Sequence, residues 1–286
     1  MVRQTVDATD VTRLISLAPL TVLELGPPDM VACAAQAGFD AVGLRLIRAT
    51  PEEPLRPTIG ITPLIRETRR RLDDTGLALI DIEVLRLTPQ TKVRHEFEAV
   101  IETGAYLGAT QILVTGNDPD HTRLADNLAQ LASLAAEYAL TPNLEPMPWT
   151  DVVNLQEAAE IAGRCGHPNV GLLVDALHYD RALNTAADLA ALPAQWIRYV
   201  QICDGVAERP TTVEALRYQG RNARLFPGTA GNIDLVAMLR ALPRDVPVSV
   251  EAPVLWQAPA IERSRAALRG AREVLDLADA DCRHLA

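Results

Sequence analysis

The stretch Gln111–Asp175, QILVTGNDPDHTRLADNLAQLASLAAEYALTPNLEPMPWTDVVNLQEAAEIAGRCGHPNVGLLVD, decides the fold. Three short runs, Gln111–Val114, Thr141–Glu145 and Gly171–Val174, alternate with two longer ones, Arg123–Ala139 and Asp151–Cys165. The short runs read as strands. The long ones carry apolar residues at helical spacing. A strand, a helix and a second strand make a crossover, the connection that parallel strands require.

The same rhythm extends both ways. Strands are expected at Arg13–Leu17, Ala41–Leu46, Ala78–Leu85, Ile197–Ile202 and Val248–Glu251. Helices are expected near Asp29–Ala37, Pro63–Thr75, Lys92–Leu107, Thr185–Ala191, Ile233–Ala241 and Ala260–Leu277. Gly38, Gly76, Gly104 and Gly108 fall near helix ends, where a left-handed residue closes the last turn. Ala37-Gly38-Phe39 and Leu107-Gly108-Ala109 occupy the same place in two units. Eight strands alternating with eight helices predict an α/β fold of the (β/α)8 type. This is a closed TIM barrel forming a single domain over residues 1–286. The rival is an open doubly wound sheet. It often carries G-x-G-x-x-G after its first strand, and Ala18–Gly26 has no such pattern. Two irregular stretches, Ala49–Thr62 and Gly205–Ala230, follow strands, which places them over the catalytic face of a barrel.

The 286 residues are 48% apolar and 22% charged, which excludes a largely disordered chain. The net charge of −10 argues against broad binding to nucleic acid or an anionic membrane. The opening MVRQTVDATD has no apolar core like that of a signal peptide, and no apolar run is long enough to span a bilayer. A soluble cytoplasmic protein is expected. Cys33, Cys165, Cys203 and Cys282 form no C-x-x-C pair, so they read as small buried hydrophobes and not as a zinc or disulfide framework.

Chemistry gathers at the strand ends. Glu145 closes Asn143-Leu144-Glu145, Asp175 closes Leu173-Val174-Asp175, Gln201 closes Tyr199-Val200-Gln201, and Glu251 closes Val248–Glu251. In a barrel these ends converge on one face. Three carboxylates brought together repel one another, and a divalent cation resolves the conflict. With the amide oxygen of Gln201 they form an all-oxygen set that suits Mn²⁺ or Mg²⁺. The bland alternative is that each residue caps a strand or pairs with an arginine. His178 follows Asp175 by three residues, placed to donate to a substrate oxygen or to bind a second metal. Glu83 and Asp81 share one face of the third strand, and Glu83 is a candidate substrate contact. Arg209, Arg217, Arg221 and Arg224 crowd the stretch before the last strand, suited to an anionic substrate or to a soluble lid.

The sequence resembles the xylose isomerase-like TIM barrels, a family of sugar isomerases and epimerases that also contains endonuclease IV-like nucleases. The resemblance runs from about Arg13 to Leu277. Asn143–Pro146, Val174–His178, Val200–Asp204, Pro227–Asp234 and Val250-Glu251 carry it. It implies one divalent metal on Glu145, Asp175, Gln201 and Glu251, with Mn²⁺ ahead of Mg²⁺, Co²⁺ or Zn²⁺. It also implies Glu145 and Glu251 as catalytic acid and base, and His178 on a substrate oxygen. Arg209 is the nearest match to a basic substrate-binding residue beyond the third ligand. Many relatives have histidine where Gln201 stands, and the glutamine looks like the hydroxypyruvate isomerase branch. The nuclease branch needs more histidines at strand ends. Of the five here, only His178 is so placed.

The activity implied is isomerisation or epimerisation of a small polyhydroxy carbonyl compound by proton transfer. The alternative on the same scaffold is a lyase, such as a keto-inositol or dehydroshikimate dehydratase, or an enzyme eliminating a group from an oxidised glycoside. A sugar-binding barrel without metal is the non-enzymatic rival. The expected partner is a small molecule. Because relatives form dimers or tetramers, the resemblance also allows a homo-oligomer.

Overall fold

The computed structural model describes residues 13–228 and 231–280. Cys282, His284 and the pair Thr229-Ala230 lie outside the described residues. Eight parallel strands close a barrel in sequence order, with the first paired to the last through Ser16 and Ser249. They are β1 (Ile15–Leu17), β2 (Ala41–Arg45), β3 (Ala78–Leu87), β4 (Gln111–Gly116), β5 (Thr141–Glu145), β6 (Gly171–Asp175), β7 (Ile197–Ile202) and β8 (Val248–Val250). Around them run α1 (Pro27–Ala37), α2 (Pro63–Thr75), α3 (Val93–Leu107), α4 (His121–Ala136) and α5 (Leu155–Cys165). Then follow α6 (Ala176–Arg181), α7 (Ala186–Ala190), α8 (Val213–Asn222), α9 (Leu235–Arg240) and α10 (Ala260–Ala280). No described helix is long and apolar enough to cross a membrane.

Two of these helices were not expected. α6 begins directly after β6, and Asp175 caps it by accepting the His178 backbone N–H. α8 lies inside the stretch read as irregular, capped by the Thr212 hydroxyl. The glycine reading holds at Gly38 and Gly108, whose φ angles of 94° and 92° give two helices the same left-handed end. It fails at Gly104, which lies within α3 against Ile82; a Cβ there would sit 2.6 Å from the Ile82 Cδ1.

Alternation along each strand divides the apolar residues. Val42, Leu44, Ile112, Leu144, Leu172, Val174 and Val200 join helix residues such as Val31, Ile101 and Leu128 in the large core around the barrel. Inside the barrel a small cluster of Ala41, Ile80, Leu113, Leu173 and Tyr199 is interrupted by polar groups. Both acids of β3 turn inward. The Tyr199 hydroxyl donates to Asp81 at 3.2 Å, and Glu83 meets Arg45 and Gln201. Gly43 on β2 leaves the room that Asp81 occupies, since a Cβ there would lie 2.4 Å from Asp81 Oδ1.

Burial pushes the Asp81 carboxyl up from 3.8 to about 6, against hydrogen bonds from Glu83 and Tyr199 that pull it down. A raised folded-state value favours the protonated acid in the folded protein. Its cost is therefore absent well below pH 3.8, grows between pH 3.8 and about 6, and levels off above that at about 3 kcal/mol. Asp81→Asn should match the parent protein in thermal stability near pH 3 and exceed it above pH 6. Parallel melting curves across that range would show that Asp81 carries no such cost.

Candidate active site

Strand register brings the polar ends to one level. Arg45 lies opposite Glu83, Thr115 opposite Glu145, and Asp175 opposite Gln201, while Glu251 follows β8 directly. The cavity above them has a volume of about 70 Å³, and its lining includes Glu145, His178, Glu251, Trp149, Arg221 and Arg224. Asp175, Gln201 and Glu83 are buried behind that lining. A neighbouring cavity of about 470 Å³ shares Arg45, Ala49, Glu53 and Arg86 with it.

The hydrogen bonding is uneven. Arg45 bridges Glu83 Oε2 at 3.0 Å and Glu53 Oε1 at 2.9 Å. Gln201 Nε2 donates to Glu83 at 3.2 Å and to Glu251 at 3.4 Å. Arg224 Nη1 donates to Asp175 at 2.5 Å, and Nη2 lies 2.8 Å from Glu251. Glu145, by contrast, accepts no hydrogen bond from a described residue; His178 Nε2 stands 3.7 Å away. The Oε1 of Gln201 and the Nδ1 of His178 are buried without partners.

These surroundings shift the acids apart. Burial, then the charges of Asp175 and Glu251, hold Glu145 well above the usual carboxylate range. Burial pushes Glu251 up to about 8 against the pull of Arg224. Burial takes Glu83 up to about 8 against the pull of Arg45. Asp175 is also buried, but Arg224, His178 and the His178 backbone N–H together outweigh that effect and lower it. Burial drives His178 down to about 4, so its imidazole is neutral at pH 7.

This donor set fits a divalent cation. Ligand atoms of Glu145, Asp175 and His178 all lie within 4.8 Å of one another. The orphaned Gln201 oxygen and the undonated Glu145 carboxylate supply hard oxygen donors in a buried place, where an unpaired polar group is costly. Five carboxylates, those of Glu53, Glu83, Glu145, Asp175 and Glu251, share the guanidiniums of Arg45 and Arg224. The formal excess of negative charge favours a cation.

A model of the xylose isomerase-like TIM barrel matches residues 31–274. The chain belongs to that family. A 3-dehydroshikimate dehydratase of Pseudomonas aeruginosa is 29% identical over 224 residues, covering 74% of this chain and 33% of that protein. The chain thus spans about a third of the length of the curated relatives it matches. Among solved structures, a xylose isomerase-like TIM barrel/4-hydroxyphenylpyruvate dioxygenase fusion protein aligns with a TM-score of 0.77. It is 21% identical, and the match covers 93% of this chain and 43% of that one. The IOLI protein with a bound zinc atom aligns at 0.76 and 20% identity, covering 92% and 98%.

The structure draws Glu145, Asp175, Gln201, Glu251, His178 and Glu83 together, but not Arg209. That side chain is 48% exposed and paired with Asp180 at 2.9 Å. The guanidinium reaching the carboxylates belongs to Arg224, fifteen residues further on. Asp204 accepts backbone N–H groups of Gly205 and Ile233 and is not part of the cavity lining. Asp118 pairs with Arg123. Trp149 meets His178 edge-on, with ring centroids 4.7 Å apart, and so fixes that ring. Arg45 and Glu53 went unread in the sequence. The alternation Ala41, Gly43, Arg45 was the signal for the first, because it puts Arg45 on the inner face of β2.

Proposed function

We propose that this chain is a divalent-metal-dependent lyase that removes water from a small polyhydroxy carbonyl compound bearing a carboxylate. The reading departs from the isomerase or epimerase expected from the sequence and takes up its alternative. The cationic mouth of the cavity carries it. Arg221 is half-buried in the lining, and no described residue forms an ion pair or hydrogen bond with its guanidinium. Its burial lowers the guanidinium pKa; Glu53 counters this, and Arg45, Arg86 and Arg217 add to it. Arg86 is exposed, and its guanidinium donates to the Ala49 carbonyl at 3.3 Å. A half-desolvated cation such as Arg221 suits an anionic ligand, above all a carboxylate that two N–H groups grip at once. The name of the relatives at 29% and 25% identity, 3-dehydroshikimate dehydratase, supports the same substrate class.

Glu145, Asp175, Gln201 and Glu251 would hold the ion, with His178 beside them. The ion would supply Lewis acidity there, which acidifies a C–H beside a substrate carbonyl. Glu145 has no competing hydrogen bond, and the charge of the ion would favour its ionised form, so that it serves as the base. It takes that proton, the C–H electron pair becomes the new C=C bond, and the C–O bond to the β-hydroxyl breaks. The neutral His178 ring positions the departing oxygen. The proton passes from Glu145 to the hydroxyl, so one water leaves and the enzyme is restored. Arg221 and Arg86 anchor the carboxylate at the mouth, and Trp149 closes the wall.

The test is direct. Purified protein with Mn²⁺ and 3-dehydroshikimate should release one water and form an aromatic dihydroxybenzoate, followed by near-ultraviolet absorbance and chromatography. Solvent deuterium entering recovered substrate without loss of water would overturn the lyase reading in favour of an isomerase.

A further inference from the structure

Helix α8 roofs the cavity, with Gly220 and Arg221 in its lining. Just beyond its C-terminal end Arg224 turns down into the carboxylate cluster. The guanidinium is 2% exposed and touches four separate pieces of chain, one of them through the Cys203 Sγ at 3.5 Å. Nη1 donates to Asp175 Oδ2 at 2.5 Å and to the Glu251 carbonyl at 3.2 Å. Nη2 lies 2.8 Å from Glu251 Oε2. Nε donates back to the Gly220 carbonyl at 2.8 Å, and the backbone N–H donates to the Pro253 carbonyl at 3.0 Å.

The contacts leave one oxygen free of Arg224 on each acid. Asp175 Oδ1 stands on the His178 side, 3.8 Å from Nδ1, and Glu251 Oε1 on the Gln201 side, 3.4 Å from Nε2. These are the neighbours that carry the unpartnered nitrogen and oxygen of the site. The roof is tied down elsewhere too. Gln219 accepts a hydrogen bond from Arg181 at 2.8 Å, and Gly220 sits so close to Trp149 that a Cβ would lie 2.5 Å from the ring. Trp149 in turn abuts His178.

We propose that Arg224 is a positioning residue that couples the ion-binding carboxylates to closure of α8. One guanidinium orients Asp175 and Glu251 toward the ion and pins the end of the roofing helix above them. The inference rests on reading the cluster as a divalent-ion site. Three features favour it over an ordinary buried ion pair. A single partner would satisfy a pair, whereas Arg224 spans acids from two strands. Its donation to Gly220 turns the guanidinium back onto the roof. Its charge offsets the repulsion among Glu145, Asp175 and Glu251, so the ligands can assemble before the ion arrives. A lysine, as a point charge without the planar fork, cannot hold all these acceptors at once.

The test uses the full chain, with Mn²⁺ alone as the probe. Calorimetric titration gives its affinity, and hydrogen–deuterium exchange follows residues 213–224. Arg224→Lys keeps the buried charge and loses the fork. It should weaken Mn²⁺ binding roughly 10–100-fold, the usual loss when a group supporting a metal ligand is removed. Exchange across α8 should be faster in the variant. Mn²⁺ should slow α8 exchange in the parent protein and slow it less in the variant, because coupling between two sites is reciprocal. Mn²⁺ affinity unchanged or tighter in Arg224→Lys would overturn the proposal, as would α8 exchange unmoved by the substitution. A parent protein that binds no Mn²⁺ would sink the divalent-ion reading itself. Pinning of α8 is then judged on exchange alone, and unchanged exchange overturns it as well. Should the lysine variant fail to fold by circular dichroism, Arg224→Gln takes the same comparison.

Discussion

Glu145→Gln is expected to lower kcat by about 10²–10⁴-fold, the range associated with loss of a positioned general base. The substitution keeps shape and volume in a residue only 3% exposed, so the barrel has no cavity to absorb. What it removes is basicity. Glu251 is committed to Gln201 and Arg224, and Asp175 to Arg224 and the His178 backbone. Glu145 alone among these acids accepts no donor, leaving its lone pairs for a substrate proton or the ion. The amide oxygen of the variant can still ligate, so elemental analysis should find metal retained in part while turnover collapses. Glu251→Gln should lose metal more severely, because the amide cannot match the carboxylate's ion pair with Arg224. Parent-like kcat in Glu145→Gln would remove Glu145 from the chemistry.

Much of this site was readable because barrel geometry converts a strand end into a position. Register puts Asp175 beside Gln201 and Thr115 beside Glu145 without further information. Glu83 was harder, since the sequence shows Asp81 and Glu83 on one face but not whether that face is the inner one. The polar partners Tyr199 and Gln201 across the barrel settle it. α8 was missed for a different reason. Its residues include Arg217, Gln219, Arg221 and Asn222, and it lies across the barrel mouth, so it shows no broad apolar stripe. A signal was present in Thr212, which precedes Val213-Glu214-Ala215-Leu216 as a cap precedes good helix formers. No local pattern could tell which of four arginines turns inward. Arg209 finds Asp180 outside the cavity lining, while Arg224 finds Asp175 at a sequence separation of 49 and the Glu251 carbonyl at 27. Those contacts exist only once the barrel has closed.

Arg221→Ala should raise KM for a carboxylate substrate by roughly 10–100-fold and change kcat far less. The magnitude follows from a hydrogen bond to a charged group, worth about 1.5–3 kcal/mol. The position makes the upper half of that range reasonable. Arg221 lies in the cavity lining, half-withdrawn from water, and its desolvation is already borne by the folded chain. A substrate carboxylate then gains the interaction without drawing Arg221 from another partner. Arg209→Ala is the control, since Arg209 is 48% exposed, pairs with Asp180 and lies outside the cavity lining, and should leave both constants unchanged. The decisive comparison uses the substrate as the second partner of a double-mutant cycle. Methyl esterification of the carboxylate should cost the parent protein about as much as Arg221→Ala does, and should cost the Arg221→Ala variant little more. If esterification and substitution instead add independently, Arg221 does not hold the carboxylate, and the anionic substrate class falls with it.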